Sequence, residues 1–420
     1  MVVAAILIAF VTTSIDQVNT QNAIPALSWL STGSADGARS VLSTIAGSMI
    51  SVAGVTFSIT MVTLSLASSQ LGPRVLNNFM RDTGNQVVLG TFIAIFTYCL
   101  IVLRSIRSSE DISFVPHLSL TVAMVLAIIS LGVLIYFFHH VSMIIQAQNL
   151  IASIGRELEA GIERFYSIQS ESSTYEHELR NKNDIPSDFD DNSNFVVATS
   201  SGYLQTIDYD SLLQVTTEHD LLLRLLCRPG DFVAKGSNIM ATYSAKELSE
   251  KVVKDIHGTF ALGVARLRLQ DIEFSIDQLV EIAVRALSPG INDPFTAIAC
   301  LDQLSTWLSD LAERTMPSGY HYDSNSRLRV ISDVVTFNGI INAAFNQIRQ
   351  HGRSDVAVTI RLLEVIAIII ARASSPEQRQ SLLKQANMIK RGSEEAIFEE
   401  NDRHDVINRY ELIMRIVDDK

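Results

Sequence analysis

The stretch VLSTIAGSMISVAGVTFSITMVTLSLASS, residues 41–69, decides the class of this protein. It is long enough to cross a bilayer, where a helix needs roughly 20 residues. Yet it carries more Ser, Thr and Gly than a helix facing only lipid has use for. At helical spacing Thr44, Ser48, Ser51, Val55, Ser58, Val62, Ser65 and Ser69 fall on one stripe, flanked by Ser40, Gly47 and Gly54. Such a face either packs on another helix, with Gly47 and Gly54 letting backbones approach, or lines a watery path. The pore-lining candidates are Thr44, Ser48, Ser51, Ser58, Ser65 and Ser69; the helix-packing candidates are Gly47 and Gly54.

Outward from this helix, most of the first 166 residues are membrane-like and the rest has soluble composition. Four spans can be drawn, over residues 1–13, 41–68, 86–103 and 118–138. The first is short and lacks a basic flank, which points to a truncated N-terminus. The competing reading is a signal peptide, which normally opens with Lys or Arg. Spans three and four are nearly uniform in apolar character and read as lipid-facing, leaving the second span as the inner helix of an assembly. No charge sits within a span, so an ion-coupled carrier is disfavoured. The segment 14–38 has no Lys or Arg, which favours placing it outside, with both termini and the soluble half inside the cell. Beyond the second span, Gly72-Pro73 breaks the helix before Arg74, and these three residues are candidates for a hinge or gate.

The fold class is a membrane α-helical region of about four spans plus a soluble α+β domain, a small β-barrel-like module followed by a helical bundle. Its parts are a transmembrane region (1–139), an amphipathic stalk helix (140–166), a polar linker (167–194), a small barrel-sandwich-like β-domain (195–243), a helical domain (244–391) and a charged helical tail (392–420). In the stalk, Leu150, Ile151, Ile154, Leu158, Ile162 and Phe165 form one apolar face. The turn pattern of the β-domain resembles the barrel-sandwich hybrid fold of biotinyl and lipoyl carrier domains and of membrane-fusion adaptors. The modified lysine of the carriers has no counterpart, since Lys235 sits elsewhere. In the helical domain, helices are expected over 245–256, 274–287, 327–351, 355–374 and 376–391.

The sharpest soluble motif is Ser288-Pro289-Gly290-Ile291-Asn292-Asp293-Pro294-Phe295-Thr296. It reads as a helix stop, a tight turn and a new helix capped by Asp293 with Pro294 at its first position. Ser288, Gly290, Asn292, Asp293 and Thr296 form either a structural corner or a ligand site, because free amides at a helix start bind anions. Asp293 would occupy those amides, which favours the corner. Gln270, Asp271 and Arg285, and Asp355 and Arg361 beyond it, are placed to support it through hydrogen bonds.

The net charge of −12 argues against nucleic acid as a partner. The three cysteines, Cys99, Cys227 and Cys300, have spacing that suggests neither a disulfide framework nor a zinc site. His139 and His140 point about 100° apart on a helix, and His219, His257, His321 and His351 are scattered, so no metal site is expected. No phosphate-binding glycine loop, HExxH or nucleophile elbow occurs, so neither enzymatic activity nor a cofactor is expected.

The phrases ALSPGINDPFTA (286–297), QDIEFSIDQLVEIAVR (270–285), FSITMVTLSLASSQLGPR (57–74), GYLQTID (202–208) and RPGDFV (228–233) together resemble a bacterial family of predicted membrane proteins, domain of unknown function 2254. The resemblance covers nearly the whole chain. It implies an inner-membrane protein with an N-terminal membrane region and a soluble C-terminal domain, and it implies no activity. The stripe favours a homo-oligomeric channel for small ions lined by the second span, with the soluble half as assembly or gating domain. The alternative is a non-conducting scaffold or sensor that binds a ligand or protein partner through the soluble half.

Overall fold

The computed structural model describes residues 1–18, 34–71, 83–109, 112–144, 146–166, 184–244 and 248–418. The chain forms two compact units, residues 1–149 and 150–420.

The first unit is helical. It comprises α1 (Val2–Val18), α2 (Ala35–Leu71), α3 (Thr83–Ser105) and α4 (His117–Ile144), with a hairpin of β1 (Arg107–Ser109) and β2 (Ile112–Phe114) between the last two. Three described helices are long and apolar enough to cross a membrane, over Ala35–Leu66, Thr83–Ser105 and His117–Met143. The expected fourth, α1, is a shorter apolar helix of 17 residues. At 37 residues α2 is about 55 Å long, well beyond the ~30 Å hydrocarbon core it can occupy.

The arrangement reverses the expected roles of the spans. The innermost helix is α3, which packs on α1, α2 and α4. More of α3 is buried within the unit than of α2 or α4. Its bulk is core: Val88, Phe92, Ile95, Tyr98, Cys99 and Val102 are all buried. Uniform apolarity therefore misread α3 as lipid-facing, because lipid and a membrane-protein core are equally apolar surroundings.

Polar groups join the helices at one end. The Tyr98 hydroxyl lies 3.1 Å from Thr12 Oγ1 and donates to the Ser119 carbonyl at 3.0 Å. Asp16, near the end of α1, accepts from the amides of Leu118 and Ser119 at 3.0 and 2.9 Å and from the Ser119 hydroxyl at 2.7 Å. A carboxylate from one helix thus caps the N-terminus of another, where the helix dipole favours negative charge.

The second unit begins with most of α5 (Ala147–Phe165), whose face of Leu150, Ile151, Ile154, Leu158 and Ile162 is buried. Gly155 lets it approach Gln303 and Trp307 so closely that a Cβ there would overlap their side chains. The stalk's apolar face is therefore covered by its own soluble unit. Next come β3 (Ser193–Val197), β4 (Gly202–Ile207), α6 (Tyr209–Glu218), β5 (Leu222–Leu225), β6 (Phe232–Val233), β7 (Asn238–Tyr243), α7 (Glu250–Gly258) and β8 (Phe260–Gly263). They are followed by α8 (Ile272–Ala286), α9 (Pro294–Ala312), β9 (Tyr320–Tyr322), β10 (Leu328–Ile331), α10 (Phe337–Gly352), α11 (Val356–Arg372), α12 (Pro376–Ala396) and α13 (Glu400–Asp418).

The strands make two open sheets, β3-β7-β5-β10-β9 and β6-β4-β8, and no closed barrel among the described residues. Both sheets recruit strands from outside 195–243. Strand β8 completes the smaller one, and β10 pairs parallel to β5 in the larger. The helix expected from Arg327 is thus a strand at its start; the alternating Leu328-Arg329-Val330 run, with Arg329 held by Asp323 and Asp220 at 2.7 Å each, suits a sheet. The end of the expected polar linker is also built in. Phe189 is buried, stacks on Tyr243 and lies under the guanidinium of Arg224. Nor is the C-terminal segment a free tail, for α13 packs on α11 with Val406 and Ile413 fully buried.

Candidate functional site

Helix α2 has two opposite faces. Towards α3 it presents Ala38, Leu42, Ala46, Met49, Ala53 and Thr56, all buried. At about 100° per residue, the stripe of Thr44, Ser48, Ser51, Ser58, Ser65 and Ser69 lies on the far side, and each of these residues is exposed within the protomer. Gly47 and Gly54 share that side, and a Cβ at either would meet nothing within 4 Å. Close packing inside the subunit is therefore the work of alanines and not of these glycines, which corrects the packing role within one chain. The hydroxyls are not idle. Thr44, Ser48, Ser51 and Ser58 each donate to the carbonyl four residues earlier, at 2.8, 2.7, 2.8 and 2.9 Å. Ser69 donates to the Leu66 carbonyl at 2.9 Å. The candidates Gly72, Pro73 and Arg74 lie outside the described residues.

The corner 286–296 closes on itself. Asn292 takes a left-handed conformation with φ 51°. The amides of Ile291 and Asn292 both donate to the Ser288 carbonyl, at 3.0 and 2.9 Å, and the Asp293 amide donates to Ala286 at 2.8 Å. The Ser288 hydroxyl donates to the Arg285 carbonyl at 2.6 Å. Asp293 accepts from the Thr296 amide at 3.2 Å and from its hydroxyl at 2.6 Å, capping α9. A Cβ on Gly290 would meet nothing within 4 Å, so that position stands open. Of the amides a ligand could use at the start of α9, Asp293 takes that of Thr296. Of the expected supports, Arg361 reaches Asp302 on α9 at 2.7 Å. Arg285 pairs with Glu281 at 3.5 Å, and Asp355 caps α11 through the Val358 amide at 2.9 Å.

Gln270 and Asp271 serve a different place, which the sequence left unassembled. Gln270 brackets the backbone of Ile207, donating to its carbonyl at 3.0 Å and accepting from its amide at 2.8 Å. Asp271 is buried, caps α8 through the Phe274 amide at 3.1 Å and holds Arg266 with bonds of 2.7 and 3.0 Å. Arg266 also reaches Asp277 at 2.7 Å, and Arg228 reaches Glu273 at 2.8 Å. Above them the Arg228-Pro229-Gly230-Asp231 turn is pinned to β4 by the Gly230 and Leu204 amides, each 2.8 Å from its acceptor. A cleft of about 210 Å³ remains between turn and helix. Burial pushes the Glu273 carboxyl above the usual carboxylate range, opposed by the Arg228 charge. With both guanidiniums matched to carboxylates, this cleft is a clamp between sheet and helix. Two of the phrases that carry the resemblance, RPGDFV and QDIEFS, meet in it.

Cys227 is pushed up to about 11 by burial, and burial also raises the Cys300 thiol, so neither is a ready thiolate. Among the described residues no group of three or more His, Cys, Asp or Glu could hold a metal ion.

The predicted membrane protein family of domain of unknown function 2254 matches residues 1–367, most of both units. The chain belongs to this family. Similar proteins occur in mycobacteria, where each is described as an uncharacterized protein. One from Mycobacterium bovis and two from strains of Mycobacterium tuberculosis are each 29% identical over 380 residues, covering 88% of this chain and 71% of theirs. No solved structure matches the chain. Membership of the family, with three membrane-length helices, makes this a predicted integral membrane protein.

Proposed function

We propose that this family member is a homo-oligomeric ion channel of the bacterial inner membrane. The second spans of several copies line its path, and residues 150–420 lie in the cytoplasm as the assembly and gating part. One observation carries the reading: the Ser/Thr/Gly side of α2 is left uncovered, opposite the alanine side that α3 covers. Because Thr44, Ser48, Ser51 and Ser58 donate their protons back to the helix, their oxygens keep outward lone pairs. A column of such acceptors favours water and small cations, with weak discrimination among them. The apolar residues that flank the stripe, Ile50, Phe57 and Met61 among them, suit the same helix to lipid or to a neighbouring copy.

Planar-bilayer recording of the purified full chain tests the proposal, together with native mass spectrometry. Unitary conductance from an oligomer is the expected result. Silence across voltage, tension and pH with a monomeric mass contradicts it. The second reading, a non-conducting sensor, gains support from a ligand bound by the 150–420 unit; at the Ser288–Thr296 corner the Thr296 amide is already taken by Asp293.

A further inference from the structure

Between the end of α10, the start of α11 and the facing side of α12 lies a cavity of about 310 Å³ lined by Arg349, Arg353 and Arg391. In a chain of net charge −12, none of these arginines makes an ion pair among the described residues, although every one of Arg224, Arg228, Arg266, Arg329 and Arg361 does. The Nε of Arg349 is buried with no hydrogen-bond partner. Burial, and then the charge of Arg391, pull the Arg349 guanidinium below its ordinary value. Glu395 also lines the cavity yet forms no ion pair with any of them.

The ordinary reasons for an arginine at such a place do not cover this cluster. Arg349 and Arg353 stand at the C-terminal end of α10, where the helix dipole favours cations. That field fades within a turn and does not account for a third arginine brought in by α12. A buried, unpartnered donor beside a like charge costs stability unless something fills the gap. The filler must be anionic, must accept several N–H donors at once, and must fit a space at the lower end of the range for small-ligand sites. Phosphate oxygens match the planar fork of a guanidinium better than any neutral group does.

We propose that this cavity is a binding site for a phosphate-bearing anion, held by Arg349, Arg353 and Arg391. The site is built entirely from residues of the 150–420 unit, and the proposal holds whether or not the protein conducts. Its ligand chemistry is common to soluble phosphorylated molecules and to anionic lipid headgroups, and the test separates the two.

The full chain is purified in nonionic detergent and titrated with inorganic pyrophosphate, followed by calorimetry and by thermal unfolding. A parallel arm compares unfolding in nanodiscs of phosphatidylcholine alone and of phosphatidylcholine with phosphatidylglycerol. Arg353→Met and Arg391→Met change exposed residues and leave the packed bundle in place. Arg372→Met, on the far end of α11, is the control. The expected result is a rise in Tm with pyrophosphate that disappears in both cavity variants and persists in the control, with affinity weakened about tenfold or more. Without ligand, Arg391→Met unfolds no lower than the native chain, because a like charge has been removed. Stabilisation by phosphatidylglycerol alone, lost in the same two variants, assigns the site to a lipid headgroup and supports it equally. No stabilisation in either arm, or stabilisation that both cavity variants retain, overturns it.

Discussion

The carboxylate of Asp271 holds the guanidinium of Arg266 through bonds of 2.7 and 3.0 Å, and it occupies the space that a side chain on Gly230 would need. One buried group therefore serves as helix cap, ion-pair partner and floor of the Arg228–Asp231 turn. Asp271→Ala removes all three at once and leaves Arg266 with Asp277 alone. The expected loss is about 3 kcal/mol, since a helix cap and two charge-assisted bonds to the Arg266 guanidinium go together. Asp210→Ala, on the exposed first turn of α6, should stay within about 0.5 kcal/mol. Thermal unfolding of the full chain in detergent checks both.

Gly230 has φ 101°, and a Cβ there would come within 2.5 Å of the Asp271 carboxylate. Gly230→Ala combines a strained backbone with that collision, and about 2 kcal/mol of stability should be lost. Gly236, with φ 85° and nothing within 4 Å of its Cβ position, carries only the backbone part. Gly236→Ala should accordingly cost less in the same unfolding measurement.

Tyr98→Phe deletes one hydroxyl from the buried join between α1, α3 and α4. Polar contacts within membranes contribute modestly, so the expected loss is about 1 kcal/mol. Unfolding in detergent should show it as a small downward shift with the oligomeric state unchanged.

His321 stacks on Tyr209 with ring centroids 4.7 Å apart, and its Nε2 lies 3.1 Å from the Ser332 hydroxyl. Burial lowers its pKa below the ordinary 6.5. The folded state thus prefers the neutral ring, while the unfolded chain takes up a proton as pH falls through 6.5. His321 contributes fully above that value, and its contribution is lost on acidification towards the depressed folded pKa. Stability of the native chain measured between pH 7.5 and 5 should fall on acidification; in His321→Gln that part of the slope should vanish.

Much of the fold is legible in the sequence where pattern and chemistry are local. The membrane-length runs, the Asp293 cap with its following proline, the Pro229-Gly230 turn and the strands between 193 and 243 all follow from neighbouring residues. What escapes is whatever depends on distant partners. Leu328 to Ile331 becomes a strand because β5 is there to pair with it, and nothing in those four residues names β5. The burial of α3 escapes as well, since a lipid-facing surface and a bundle core call for the same side chains. Arg228 and Arg266 are ordinary charges until the fold brings Glu273 and Asp271 to them. The α2 stripe is visible as spacing; that the opposite side of the helix is the packed one, through alanines and not through Gly47 and Gly54, is not.

The surroundings of the side of α2 that carries Ser51 and Ser58 can be read residue by residue in the assembled membrane. Single cysteines are placed at Ser48, Ser51, Ser58, Phe57 and Met61 in a chain whose Cys99, Cys227 and Cys300 have been replaced. In liposomes they are offered a charged methanethiosulfonate reagent that reacts only where water reaches the thiol. Labelling at 48, 51 and 58 with protection at 57 and 61 is the predicted pattern. Protection of all five, with the protein active in neither conductance nor assembly, would contradict a water-lined path along this helix.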